Sequence, residues 1–161
     1  MPHIAIPEGK ADPEVRVWAL RPEMGMGAGA LSHAIYDESI VPVRERELAR
    51  MRIAQINGCV ICQQWRATPG AEGVVTEADY ANVLDWRTHD GYSDRERLAI
   101  EYAELFALDH HTIDASYYDR MRRATFTDAE ILDLTVCIGG WLALGRTLHV
   151  LALDDACQLT Q

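Results

Sequence analysis

The segment "FTDAEILDLTVCIGGWLALGRTLHVL", residues 126–151, constrains the fold more than any other part of the chain. Thr127 followed three residues later by Glu130 is a capping box, in which each side chain satisfies the other's backbone N–H, so a helix starts there. From that start, apolar residues fall on every face: Ile131, Leu134, Ile138 and Leu142, but also Val136, Trp141 and Leu144. A helix apolar all round is either a buried central helix or one covered further by a neighbouring subunit. Gly139, Gly140 and Gly145 allow another helix to approach closely, at some cost in helix propensity. The apolar run Leu134 to Gly145 lies between Asp133 and Arg146 and falls far short of the roughly 20 residues of a membrane span. It reads as a core helix.

The rest of the chain repeats the same signals. Ser93 and Glu96 form a second capping box, Thr76 with Glu77 and Asp79 a weaker one, and Pro42 suits the first turn of the helix carrying "VRERELARMRIAQIN". Leu98, Tyr102 and Leu105 follow helical spacing, and no stretch alternates at period two. The expectation is an all-α, single-domain bundle of about seven or eight helices over residues 13–161. Loops are expected near Gly25–Gly29, Thr68–Gly73, Thr88–Gly91 and His110–Thr112. Residues 1–12 are expected to be a loose arm, disordered or reaching across a partner. At 161 residues the chain is long enough to bury a sizeable core.

Charge narrows the choice of partner. The net charge of -10 argues against nucleic acid, because phosphate binding needs a basic surface. The local basic cluster "RERELARMR" is interleaved with acids and reads as a salt-bridged helix face. The start "MPHIAIPEGKADPE" lacks a basic region followed by an apolar run, so no secretory signal and no membrane association are expected, and the compartment is expected to be the reducing cytoplasm. Four cysteines there do not make a disulfide framework; a CxxC is catalytic or metal-binding more often than structural.

That CxxC lies in "QINGCVICQQWRA", residues 55–67. Asn57-Gly58 suits a helix end, which places Cys59 near the start of the next helix and Cys62 one turn along. A helix N-terminus stabilises a thiolate, and residues at i and i+3 share a face, so the sulfurs can reach disulfide distance. A low-pKa thiol with a second in reach is what peroxide reduction needs. Two alternatives stay open on the residues alone. One is a pair of small buried core cysteines. The other is a metal site, although Cys137 and Cys157 supply no second CxxC, the adjacent His110 and His111 would diverge on a helix, and no metal is expected. Glu47, twelve residues before Cys59, lies on a partly apolar strip with Val43, Met51 and Ala54. It is either a buried carboxylate aimed at a thiol or an ion-pair partner of Arg44 or Arg50.

Glu47 followed by "ELARMRIAQINGCVIC" resembles the carboxymuconolactone decarboxylase-like superfamily, and within it the alkylhydroperoxidase D-like branch, most strongly over Leu31 to Leu108. The resemblance implies an all-helical homotrimer or hexamer acting as a thiol-dependent peroxidase. Cys59 and Cys62 would be its redox pair, and Glu47 the carboxylate relaying a proton. A small-molecule alkyl hydroperoxide would be the oxidant, a dithiol such as a protein-borne lipoyl group the reductant, and no cofactor is implied. Cys62 is expected nearer the relay and Cys59 more exposed, meeting the reductant. The family's relay histidine four residues after the second cysteine is Arg66 here, and a histidine between the cysteines is Ile61. Arginine does not shuttle protons, but it stabilises a thiolate or binds a substrate carboxylate. His149 or His33 would have to complete the relay. A decarboxylase acting on a lactone acid and a non-catalytic, redox-sensing oligomer are the competing readings.

Overall fold

The computed structural model describes residues 1–66 and 74–153, and these contain eight α-helices and no strand. The helices are α1 (Pro13–Arg16), α2 (Pro22–Asp37), α3 (Val43–Asn57), α4 (Val60–Gln64), α5 (Glu77–Ala81), α6 (Asp94–Leu108), α7 (Ala115–Arg123) and α8 (Asp128–Val150). Short 3-10 turns follow α1, α5 and α6. The expected loop at Thr68–Gly73, and Cys157, lie outside the described residues. Residues 1–12 contain no helix, and His3 N–H donates to the Leu151 carbonyl at 3.0 Å.

Local chemistry sets the helix starts. Ser93–Glu96 and Thr127–Glu130 form complete capping boxes, and so does Thr76 with Asp79. Pro42 is the N-cap of α3 rather than its first turn. The stretch Gly25–Gly29, expected as a loop, is helical and lies inside α2. Three glycines there cost helix propensity, but Leu31, Ile35 and Tyr36 further along α2 pack on the main core and hold the helix.

The second correction concerns which helix is central. That position belongs to α3, not α8, although α3 is the more highly charged. Ala49 and Ile53 face the main core with Tyr102, Met121, Leu134, Ile138 and Trp141. Leu48 and Met51 face a second cluster with Tyr80, Val83, Trp86 and Ile100. The charges of α3 are matched from other helices: Arg44 to Glu96 and Asp79, Glu45 to Arg95, and Arg52 to Glu104. "RERELARMR" is therefore salt-bridged, but across the interior rather than along a surface.

In α8 only one face is buried, including Ile131, Leu134, Ile138 and Trp141, while Leu132, Val136 and Val150 are exposed. By length and composition alone α8 would cross a membrane; here it packs on α2, α3 and α6. Two of its glycines make that packing possible. A Cβ on Gly140 would lie 2.8 Å from Ile35 Cδ1 of α2, and one on Gly145 would lie 2.7 Å from Asn57 Nδ2 of α3. Gly139 has only an ordinary contact with Phe106.

The capping box at the start of α8 also ties down Glu130, which pairs with Arg95. Thr127→Ala should lower stability by about 1 kcal/mol, read as a shift in urea midpoint without a change in slope.

Candidate active site

The site begins where α3 ends. Gly58 takes φ 67°, a left-handed conformation that a side chain would strain, and its N–H caps the Gln55 carbonyl at 3.1 Å. Cys59 N–H then donates to the Ala54 carbonyl at 3.1 Å. This turn sets Cys59 as the N-cap of α4, where its Sγ accepts the Cys62 N–H at 3.3 Å. The two cysteines are joined as a disulfide with Cα atoms 5.3 Å apart. Each expectation for the turn, the helix start and the sulfur approach is met.

Their exposure is the reverse of what the resemblance implied. Cys59 is 1% exposed, whereas Cys62 is half-buried and lies on the wall of a cavity of about 280 Å³. The first cysteine, tied by its N–H to the Ala54 carbonyl of α3, is the one closed off from solvent. The cavity is lined mostly by apolar groups, among them Trp18, Tyr36, Ile53, Trp65, Trp141 and Leu148. Burial, opposed by nearby Arg50 and reinforced by Glu47, pushes the Tyr36 phenol up to about 12, so it stays neutral beside the cavity.

Glu47 is both buried and an ion-pair partner, the partner being Arg50 rather than Arg44. Arg50 is itself only 2% exposed. Arg50 Nε and Nη2 donate to the two carboxylate oxygens at 2.8 and 3.0 Å. The same guanidinium reaches on to the Cys62 carbonyl at 2.6 Å and the Trp65 carbonyl at 3.0 Å. The Tyr80 hydroxyl donates to Glu47 Oε2 at 2.8 Å. Burial first, then this bond, holds the Tyr80 phenol proton far above its ordinary range. One link from Glu47 to the CxxC therefore runs through Arg50.

Arg66 follows α4 and its guanidinium turns to α5. It pairs with Glu77 at 2.7 Å, donates to the Gln63 carbonyl and lies 4.1 Å over the Tyr80 ring. The hydrogen bond to Glu77 raises its already high pKa, so it remains a permanent cation. It is not among the described residues that line the cavity.

His149 stands in the last turn of α8, its Cε1 3.9 Å from where a Cβ on Gly58 would be, so it packs over the turn before Cys59. His33 is exposed on α2 and pairs with Asp37 and Glu38. His110 and His111, expected to diverge, lie in the 3-10 turn after α6 with their rings tilted against each other and centroids 4.0 Å apart. Cys137 is buried in the core, and burial pushes its thiol up to about 12, which makes it a poor nucleophile. Among the described residues, no group of three or more His, Cys, Asp or Glu is arranged to hold a metal ion.

Two residues of this site escaped the sequence reading. Tyr80 comes from α5, thirty-three residues from Glu47, and nothing in a local pattern announces it. Trp141 was visible only as one more apolar residue of α8.

The family model for carboxymuconolactone decarboxylase matches residues 22–105, from the start of α2 to near the end of α6. The chain belongs to the carboxymuconolactone decarboxylase family. YnjA of Escherichia coli, an uncharacterized protein, is 38% identical over 95 residues; the match spans 58% of this chain and 51% of YnjA, about half of that relative's length. Among solved structures, ATU0492 of Agrobacterium tumefaciens, a protein of unknown function assigned provisionally to antioxidant defence as an AhpD, aligns with TM-score 0.72 and 22% identity over 84% of this chain and 92% of its own. The debrominase Bmp8 aligns with TM-score 0.72 and 16% identity over 90% of this chain and 82% of its own. At these identities the structures establish a shared AhpD-like all-helical fold.

The buried pair makes a stability prediction. Glu47→Gln leaves Arg50 as an uncompensated interior charge and should cost roughly 3 kcal/mol or more in urea unfolding. Replacing both residues by apolar ones of similar volume should cost less than that single change, as a double-mutant cycle would show.

Proposed function

We propose that the protein is a thiol-dependent peroxidase that reduces organic hydroperoxides with Cys59 and Cys62. The observation that carries this reading is the Cys59–Cys62 pair, held at the start of α4 with Cys62 among the residues that line an apolar cavity. In the reduced enzyme the Cys62 thiolate attacks the O–O bond of ROOH. The O–O bond breaks, an S–O bond forms, and with one proton the products are ROH and Cys62 sulfenic acid. The Cys59 thiol then displaces hydroxide from that sulfur, giving the disulfide and water. A dithiol, such as a protein-borne lipoyl group, attacks Cys62, the accessible sulfur, and expels Cys59 as a thiolate. That leaving group is favoured because its Sγ accepts the Cys62 N–H at the helix start. The oxidised dithiol leaves as a cyclic disulfide.

In this scheme Glu47, backed by Arg50 and Tyr80, is the carboxylate that passes the proton. Arg66 acts at a distance, as a positive charge that favours the thiolate. Its engagement by Glu77, away from the cavity lining, weighs against a carboxylate clamp and so against the lactone-acid decarboxylase reading. The scheme requires a reducing compartment such as the cytoplasm.

The aromatic lining favours one second reading. A cysteine-to-alanine variant of Bmp8 has been solved with 2,3,4-tribromopyrrole, a flat halogenated ring, and a cavity walled by Trp18, Trp65 and Trp141 suits such a shape. Reductive debromination would convert an aryl bromide and two thiols to the arene, hydrogen bromide and the disulfide.

We propose also that copies of the chain associate, as a trimer or hexamer, through the exposed stripe Leu132, Val136 and Val150 of α8. Leu132→Glu should lower the mass measured by light scattering; an unchanged mass would remove α8 from the interface.

The deciding test is the reduced protein mixed with cumene hydroperoxide, with thiols counted over time and the product mapped by mass spectrometry. A Cys59–Cys62 bridge and steady turnover with a dithiol are expected, and Cys62→Ser should abolish turnover. Turnover retained in that variant would refute the mechanism; bromide release from tribromopyrrole without peroxide turnover would favour the second reading.

A further inference from the structure

Two glycines in the middle of α2 have no packing reason to be glycine. A Cβ on Gly25 would lie 2.8 Å from Trp18 Cβ, so close packing accounts for that one. A Cβ on Gly27 or on Gly29 would meet no packed neighbour within 4 Å. Each costs helix propensity, and no close approach of another element compensates for it.

The two differ in where they face. Gly25, Ala28, Gly29, Ser32 and Tyr36 line the cavity that Cys62 also lines. Their spacing of three and four residues is that of one helix face, so a side chain at position 29 would start out on the cavity side. Gly27 is two residues away, about 200° round the helix. It is exposed and is not among the lining residues. Among the described residues of the lining, Gly29 and Trp65 are the exposed ones. Gly29 therefore stands where the cavity meets solvent, with open space where a side chain would be. The volume of about 280 Å³ is far larger than the roughly 30 Å³ share of one water. Hydrogen peroxide would leave most of it, and most of its apolar wall, unfilled.

We propose that Gly29 determines specificity: by leaving out a side chain it admits hydroperoxides with a compact aryl or branched alkyl group to the cavity beside Cys62. The identity of the ligand as a hydroperoxide rests on the peroxidase reading; the size limit set at Gly29 does not. A larger residue there would take the room that the hydrocarbon part needs, while hydrogen peroxide needs little of it.

The test compares Gly29→Leu with Gly27→Leu in the full-length protein. Both replace a helical glycine by a strong helix former, so both should raise the urea midpoint. In Gly29→Leu the rate of thiol loss with cumene hydroperoxide, divided by that with hydrogen peroxide, should fall by roughly tenfold or more, the effect of a misfitted apolar group in a pocket. In Gly27→Leu that ratio should keep its wild-type value. Cumyl alcohol has the carbon skeleton of cumene hydroperoxide and is inert. Its binding to the oxidised protein, measured by equilibrium dialysis, should weaken with Gly29→Leu and not with Gly27→Leu.

An unchanged ratio and unchanged alcohol binding in Gly29→Leu overturn the proposal. So does an equal loss in both variants, which would mark a general effect of stiffening α2, and so does no alcohol binding to the wild-type protein. Should Gly29→Leu not fold, Gly29→Ala and Gly27→Ala replace the pair, with a fall of roughly fourfold expected at position 29 alone, the worth of one methylene. Probe binding needs no redox chemistry. Alcohol binding that Gly29→Leu weakens, without peroxide turnover, would therefore reject the peroxidase reading and keep the size limit. Turnover indifferent to Gly29 would do the reverse.

Discussion

The arrangement of the site depends on one buried ion pair. Glu47 and Arg50 sit one turn apart on α3 with almost no contact with solvent. Isolated, each would be intolerable in the interior. Together they are acceptable only because the remaining hydrogen-bonding capacity is used: Tyr80 takes one carboxylate oxygen, and the carbonyls of Cys62 and Trp65 take the outer guanidinium nitrogens. A planar fork with five donors can serve a carboxylate and two carbonyls at once, which a lysine ammonium cannot do with the same geometry. The short α4, too short to be stable by itself, is thereby held to α3 through its own backbone. The position of Cys62, and the cavity wall it forms, follow from that.

What the sequence disclosed about this arrangement was the local part. The Asn57-Gly58 ending, the N-cap cysteine and the i, i+3 approach of the sulfurs are all decided within eight residues, and each was legible. The capping boxes are equally local. Where the reading failed, the deciding contact came from far along the chain. Three glycines suggested a loop at Gly25–Gly29 because propensity weighs against them, but Leu31 and Ile35 anchor α2 on the core. The exposure of the two cysteines was inverted because nothing near them in sequence shows which one the tertiary packing buries. Glu47 posed a choice between a buried carboxylate aimed at a thiol and an ion pair; burial and the Arg50 pair coexist, since the partner is buried too.

The same distinction explains why a charged helix became the centre of the fold. Periodicity marks α8 as the most apolar helix and α3 as a mixed one, so α8 was expected either at the centre or covered further by a neighbouring subunit. Charge excludes a helix from an interior only when its partners are unavailable. Here α5, α6 and α3 itself supply Asp79, Arg95, Glu96, Glu104 and Arg50, and α3 is buried on two sides. The apolar surplus of α8 was left on its outer face instead.

The substitution of Arg66 for histidine can be read in that light. In a site whose carboxylate is already saturated with donors from Arg50 and Tyr80, an imidazole is not the only route by which charge at the thiols can be managed. Arg66 stacks on the Tyr80 ring, and Tyr80 donates to Glu47. A fixed cation over that ring faces its electron-rich side, and it lies close enough to Glu47 for that charge to be felt. The line Arg66–Tyr80–Glu47–Arg50–Cys62 is thus continuous from Arg66 to the cysteine backbone. In the proposed scheme Arg66 and Arg50 hold charge still, and the proton is left to Glu47. Under the proposed mechanism, such fixed positive charge would favour the thiolate without an imidazole.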